Sequence, residues 1–399
     1  MVVCFVAAMA LQAAAASAAT AAPATSTTTA PASMSTTASM STTTAPAPSM
    51  ADRRLTLYRR ELGKLSPKSV VASPDGALFV QNMIYEHSIT VFDADGERVT
   101  DISDRVDRAI LGLDGKGFVR GAPVEAALSV DGKSLFVSNY YLLGQGFPGN
   151  VTDACTEKKP KPSFVFRIDI ASRTIVDGYE VGAAPKFLAV TPDGQRLLVS
   201  NWCGHSLSIV DLTGTEATRT LKVASFPRGI AIEADSATAY VASMGKHTID
   251  VVDLKSLTVV RQLKPGRGPR HIVLDAAGRL FVSLSHEGRV AIVDKETGAA
   301  VSRVLVGKDP RSIVLSTDGT ALYVTNYGED SLAVVDTRTM KVVQKIATGP
   351  APIGVAFERH TERVWVACYQ GSVRLYDSRG AAPHKSARML RDEAKRFPR

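Results

Sequence analysis

Residues 310–336 read PRSIVLSTDGTALYVTNYGEDSLAVVD, and they hold three quarters of one structural unit. Pro310–Leu315 is an apolar run suited to an innermost strand, and Asp318-Gly319 follows it as a turn pair. The pair predicts a tight hairpin with both turn residues at positive φ. Ala321–Asn326 reads as a second strand. Residues 332–336 form a third, apolar on both faces as in a sheet sandwiched between two neighbours. Lys341–Ala347 supplies a fourth strand, and Gly349 and Pro352 lead into the next unit.

The unit repeats. The aspartate ending its third strand recurs as Asp93, Asp169, Asp211, Asp253, Asp294, Asp336 and Asp377. After a first interval of 76 residues the spacings are 42, 42, 41, 42 and 41. Seven prolines (Pro67, Pro123, Pro185, Pro227, Pro269, Pro310, Pro352) open the units, and seven second strands read LFVQN, LFVSN, LLVSN, AYVAS, LFVSL, LYVTN and VWVAC. A fixed period in the low forties marks a four-stranded propeller blade. The chain is therefore expected to be an all-β, seven-bladed propeller of four-stranded antiparallel blades. Two insertions, about 104–121 and 141–163, account for the long first interval. Blade 7 has three strands up to Asp377, and 55–62 precedes Pro67 where a fourth strand falls in other units. Pairing the two would close the ring and hide two sheet edges.

Composition divides the 399 residues into four parts. Residues 1–19 are apolar and alanine-rich, with an Ala16-Ser17-Ala18 triplet that suits signal peptidase, and read as an export signal. The stretch is too short for a membrane span. Residues 20–52 are almost entirely Ser, Thr, Ala, Pro and Met and read as a disordered linker. The propeller occupies 53–378 and a basic tail 379–399. Much of the net charge of +8 sits in that tail, whose seven basic and two acidic residues read as a solvated end. The protein is thus expected to be exported: periplasmic, at the cell surface or secreted, with no stable transmembrane segment in the mature chain.

Tyr323-Val324-Thr325-Asn326, followed by Tyr327-Gly328 and a strand ending in Asp336, resembles the YVTN-repeat family of exported seven-bladed propellers. The resemblance covers roughly residues 55–377. Relatives of that family include lactonase-like propellers, the haem d1 domain of nitrite reductase, and binding proteins without known catalysis. The repeat describes the scaffold, so it implies fold and leaves activity open.

The residue after each opening proline is Lys68, Val124, Lys186, Arg228, Arg270, Arg311 or Ile353. By symmetry all seven face the mouth of the central channel. Five like charges converging there are unfavourable unless solvated or paired with an anion, so Lys68, Lys186, Arg228, Arg270 and Arg311 form the candidate ligand-binding ring. His271, beside Arg270, is a candidate ligand or general base. His87, His205 and His247 each lie six residues before a repeat aspartate, as does Asp330. A shared polar turn residue explains all four, and equivalent positions on neighbouring blades are too far apart to share a metal. Cys155 lies in the second insertion and Cys203 in the corresponding loop of the next blade. In an exported protein they are expected to form a disulfide. No nucleophile elbow, phosphate loop, haem-attachment or zinc-helix motif is present, so no catalytic residue, cofactor or metal is assigned.

The leading expectation is a non-catalytic binding or scaffold propeller. Its ligand, an anionic small molecule, polysaccharide or protein, would sit at the channel mouth on the insertion-bearing face. A lactonase-like hydrolase or lyase using His271 is the alternative. A nucleic-acid binder comes third, favoured by the basic ring and tail but lacking interleaved aromatics.

Overall fold

The computed structural model describes residues 54–62, 65–84, 87–148, 153–157 and 160–380. The signal and linker segments, and all of the tail beyond Gly380, lie outside these. Among the described residues the strands form eight four-stranded sheets. Seven are blades, and the eighth is a small sheet built by the two insertions. The unit quoted above is Pro310–Leu315, Ala321–Asn326, Ser331–Asp336 and Lys341–Ala347, in that order from the axis outward. Each innermost strand touches the next around the ring, and Pro352–Glu358 of blade 7 returns against Pro67–Ala72 of blade 1.

The ring closes by exchange of its ends. Thr56–Leu62 pairs antiparallel with Ser372–Asp377, Thr56 opposite Asp377. Two contacts lock the seam. The Arg59 guanidinium donates to both carboxylate oxygens of Glu97 in blade 1, at 2.6 and 3.1 Å. The Leu55 backbone exchanges hydrogen bonds with the Gln344 amide on the outer strand of blade 6.

Apolar side chains fill the gaps between blades, one cluster per gap. Between blades 4 and 5, for example, Tyr240, Ile249 and Val251 meet Ile272, Leu280 and Val282. Blades 7 and 1 meet through Trp365, Ala356, Leu78 and Val80. A third strand such as 331–336 is buried throughout because both of its faces meet a neighbour. Each such side chain contributes about 2 kcal/mol by burial, which makes these gaps the main stabilising layer.

The repeated aspartates are structural. Asp253, Asp294 and Asp336 each accept from two backbone N–H groups two and three residues ahead, at 2.7–3.1 Å. They turn the chain from the third strand into the fourth. The Asp-Gly turn differs from expectation. Gly319 is at φ +68°, but Asp318 is not at positive φ, and Gly319 N–H donates to the Ser316 carbonyl. The hairpin is longer than two residues, with Ser316 Oγ tied to Asp318 at 2.6 Å and glycine alone in the left-handed position.

The insertions divide their work. The first carries the short helix Arg108–Leu111, whose Leu111 packs on blade 2 against Phe164 and Ile175. A β-carbon on Gly178 would lie 2.1 Å from Leu111 Cδ2, so glycine there permits the docking. Residues 153–157 of the second insertion reach the channel mouth, held by the Cys155–Cys203 disulfide. The hood over the face is therefore supplied by the second insertion, while the first leans outward.

Candidate functional site

Lys68, Lys186, Arg228, Arg270 and Arg311 all line one cavity of about 20 Å³ at the insertion end of the channel. That is room for about one water-sized occupant. Lys68, Lys186, Arg228 and Arg270 are buried, Lys186 to 1% exposure, and Arg311 is partly buried. The two apolar members of the set, Val124 and Ile353, are buried as well. Each basic residue is the second of an innermost strand, so the repeat itself brings the five together. Backbone latches fix the register: Ser138 Oγ donates to the Lys186 carbonyl at 2.8 Å and Ser283 Oγ to the Arg311 carbonyl at 2.9 Å, each across a blade boundary.

A second ring, unread in the sequence, holds these cations. The residue directly after the second strand of one blade packs against the basic residue of the next. Tyr369 lies 4.8 Å from Lys68 Nζ, Tyr140 4.3 Å from Lys186 Nζ, and Trp202 4.5 Å from the Arg228 guanidinium. Met244 Sδ accepts from Arg270 at 3.6 Å. Where the next blade carries Val124, the collar residue is the apolar Met83. Arg311 lies 3.6 Å over Tyr327 of its own blade. Aromatic faces attract cations, which offsets part of the cost of burying them.

Carboxylates meet only part of the ring. Lys186 Nζ donates to Asp153 Oδ1 at 2.5 Å, and Tyr140 Oη donates to the same oxygen at 2.6 Å. Trp202 Nε1 donates to the Asp153 carbonyl at 3.0 Å. Burial opposes the Asp153 charge, but Lys186, Tyr140 and Arg228 hold its carboxyl far below the usual range. Arg311 pairs with Asp309 at 2.9 Å. Among the described residues, Lys68, Arg228 and Arg270 have no carboxylate within ion-pair distance, and the buried Nε of Arg228 has no partner. Burial, then the neighbouring arginines, weighs against the charged forms of Lys68 and Arg270. Lys68 is pushed down to about 7. An arginine does not deprotonate in a protein, so at Arg228 and Arg270 the strain remains as unmet positive charge.

The next tier down carries two ionisable groups, Glu125 and His271, both on the wall of the same cavity. Burial raises the Glu125 carboxyl to about 7, opposed by Lys68 and Arg228. Burial and Arg270 lower His271 to about 4, so its ring is neutral at pH 7. His271 Nδ1 accepts from the Ile313 N–H at 2.9 Å, which places its proton on Nε2. Counting Glu125, Asp153 and Asp309 against the five cations leaves a formal excess of two positive charges. Glu125 and Asp153 were not among the residues singled out by sequence. Glu125 stands one place beyond Val124 in the repeat. Asp153 belongs to an insertion without register, placed by a disulfide two residues away.

Below this tier the channel widens to a cavity of about 590 Å³, walled by innermost-strand residues of all seven blades. His87, His205, His247 and Asp330 stand apart from the ring, at φ between +44° and +58°. His205 and His247 accept through Nδ1, and Asp330 through Oδ1, from a backbone N–H 21 residues ahead. They are turn residues that tie one blade to the next. Among the described residues no group of three or more His, Cys, Asp or Glu is arranged to hold a metal, and no helix is long and apolar enough to cross a membrane.

Residues 235–374 match the model of the cytochrome D1 heme domain family. No curated protein matches. Among solved structures, the fold is similar to hydrazine synthase of Kuenenia stuttgartiensis, with a TM-score of 0.61 and 18% identity over 79% of this chain and 96% of that one. It is also similar to virginiamycin B lyase from Staphylococcus aureus, with a TM-score of 0.62 and 13% identity over 81% and 99%. The ring does not fit a haem. Its cavity admits about one water, and His271 is engaged through Nδ1 and packed edge-on against Phe187 at 4.8 Å. Fold, family match and neighbours together bear out the resemblance: the chain is a β-propeller, similar over residues 235–374 to the cytochrome D1 heme domain family.

Proposed function

We propose that the protein is an exported binding propeller that takes an anionic ligand at the basic ring beneath the second insertion. One observation carries the reading: Lys68, Arg228 and Arg270 converge on a single cavity without a carboxylate partner among the described residues, and Arg228 keeps a buried, unpartnered Nε. Buried charge is retained when something neutralises it, and among the described residues no carboxylate, Glu125 on the same wall included, comes within ion-pair distance of these three. The disulfide supports export, as does the reading of 1–19 as a signal and 20–52 as a linker. The small cavity favours a single oxyanion group or halide over a charged polymer, which sets polysaccharide and nucleic acid behind a small anion. Calorimetric titration with acetate, sulfate and phosphate tests this. Binding that is lost in Arg228→Gln/Arg270→Gln supports it, and equal binding by that variant refutes it.

A second reading, a lactonase-like hydrolase or lyase, draws on Glu125 and His271. A carboxyl raised to about 7 and a neutral imidazole on one cavity wall are suited to moving protons near neutral pH. Similarity to a lyase adds a reason to assay lactones. Turnover that disappears in Glu125→Gln while anion binding survives would favour this reading over simple binding.

A further inference from the structure

We infer that the ligand is an organic carboxylate with an apolar body, its head at the ring and its body in the channel beneath. This deepens the anion-site reading and rests on it. The ring cavity holds about 20 Å³, so only a head group enters it. Any body must extend to one side. The mouth side is obstructed: Asp153 occupies Lys186, and Tyr140 and Trp202 cover Lys186 and Arg228.

The other side is open. The cavity of about 590 Å³ shares Glu125, Phe187, His271 and Ser312 with the ring, so the two spaces meet at that tier. Its volume lies in the range that holds a small organic ligand. Below the shared tier the partly exposed side chains on its wall are apolar in blades 1 to 6, with Val71, Leu128, Ala189, Ile232, Val273 and Val314 as examples. The ionisable groups on this wall are Glu125 and His271 at the ring end and Arg359 at the far end. The far end also reaches Ser73 and Pro74, in the turn between the first two strands of blade 1, so access runs from the face opposite the insertions. A chamber cationic at one end and lined beyond it by apolar side chains among backbone groups and a few serines selects a molecule with a charged head and a mainly apolar body.

The test is a chain-length series on the full chain, titrating acetate, butanoate, hexanoate and octanoate, with 1-octanol as the uncharged control. Affinity is expected to rise about two- to four-fold per added methylene. Octanol is expected to bind at least about 100-fold more weakly than octanoate, having no charge for the ring. Ala126→Phe, which fills the channel wall, is expected to abolish the chain-length dependence and leave acetate binding intact. Should that variant fail to fold, the series on the unaltered protein decides alone. Equal affinity for acetate and octanoate overturns the inference and leaves the anion site standing. Octanol binding as well as octanoate overturns the head-at-the-ring orientation. Failure of every carboxylate to bind overturns the inference, and failure of sulfate, phosphate and bromide to bind as well overturns the anion reading.

Discussion

The two halves of the basic ring are built from the same repeat position and end in opposite electrostatic states. Lys186 and Arg311 each have a carboxylate, at 2.5 and 2.9 Å. Arg228 and Arg270, on the two blades between them, face Trp202 and Met244 instead. Cation–π and sulfur contacts hold a guanidinium in place without neutralising it. Where this protein supplies a carboxylate, the cation is structural. Where it supplies only an aromatic ring or a thioether, positive charge is kept available. On the anion-site reading proposed above, blades 4 and 5 are the sector in which a bound anion belongs.

The largest expected effect breaks that sector. Arg228→Gln/Arg270→Gln should weaken anion binding at least about 100-fold, since each removes a charge-assisted contact of about 1.5–3 kcal/mol. Arg311→Gln, already paired with Asp309, should cost less than about 10-fold in the same calorimetric titration. Equal losses from both would erase the distinction between the halves.

Next in size is the stability of the paired half. Asp153→Asn leaves Lys186 buried without its counter-charge and should destabilise by about 2 kcal/mol in denaturant unfolding. That is below the usual cost of breaking a fully buried pair, because the Asp153 side chain is 61% exposed. The same change adds one positive charge to the ring, so anion affinity should rise. Asp309→Asn, whose partner Arg311 is less deeply buried than Lys186, should cost less than about 1 kcal/mol.

The pH dependence follows from the two groups near 7. Lys68, lowered to about 7, loses its charge as pH rises through that value, and Glu125, raised to about 7, gains one. Both changes make the ring less positive, so anion affinity should fall about 10-fold from pH 6 to pH 8. Binding should take up protons, measurable by titration in buffers of different ionisation enthalpy. Glu125→Gln should flatten the profile, and an unchanged profile in that variant would remove Glu125 from the site. Smallest of all, Tyr369→Leu should cost about 1 kcal/mol of stability through its contact with Lys68.

The fold was almost fully legible because blade period, turn aspartates and strand strings are local and repeated. The end exchange at 55–62 was legible for the same reason: one strand was missing at one end and surplus at the other. The ring of basic residues followed from its fixed place after each proline. The collar was equally periodic but went unread, since Tyr140, Trp202, Met244 and Tyr369 share a position and not a chemical type. Asp153 had no such register. Its distance to Lys186 depends on how the insertion folds back, which the Cys155–Cys203 link settles in space and composition does not. The Asp-Gly turns misled because the pair suits several turn types, and the four-residue loop places only glycine at positive φ.

Diffraction from crystals of the full chain soaked in sodium bromide tests the anion site most directly, since bromide is a compact monatomic anion and reports its own position by anomalous scattering. An anion site at the ring requires a bromide peak bounded by Lys68, Arg228 and Arg270, absent in Arg228→Gln/Arg270→Gln. Bromide bound elsewhere on the molecule, with none inside the ring, would contradict it.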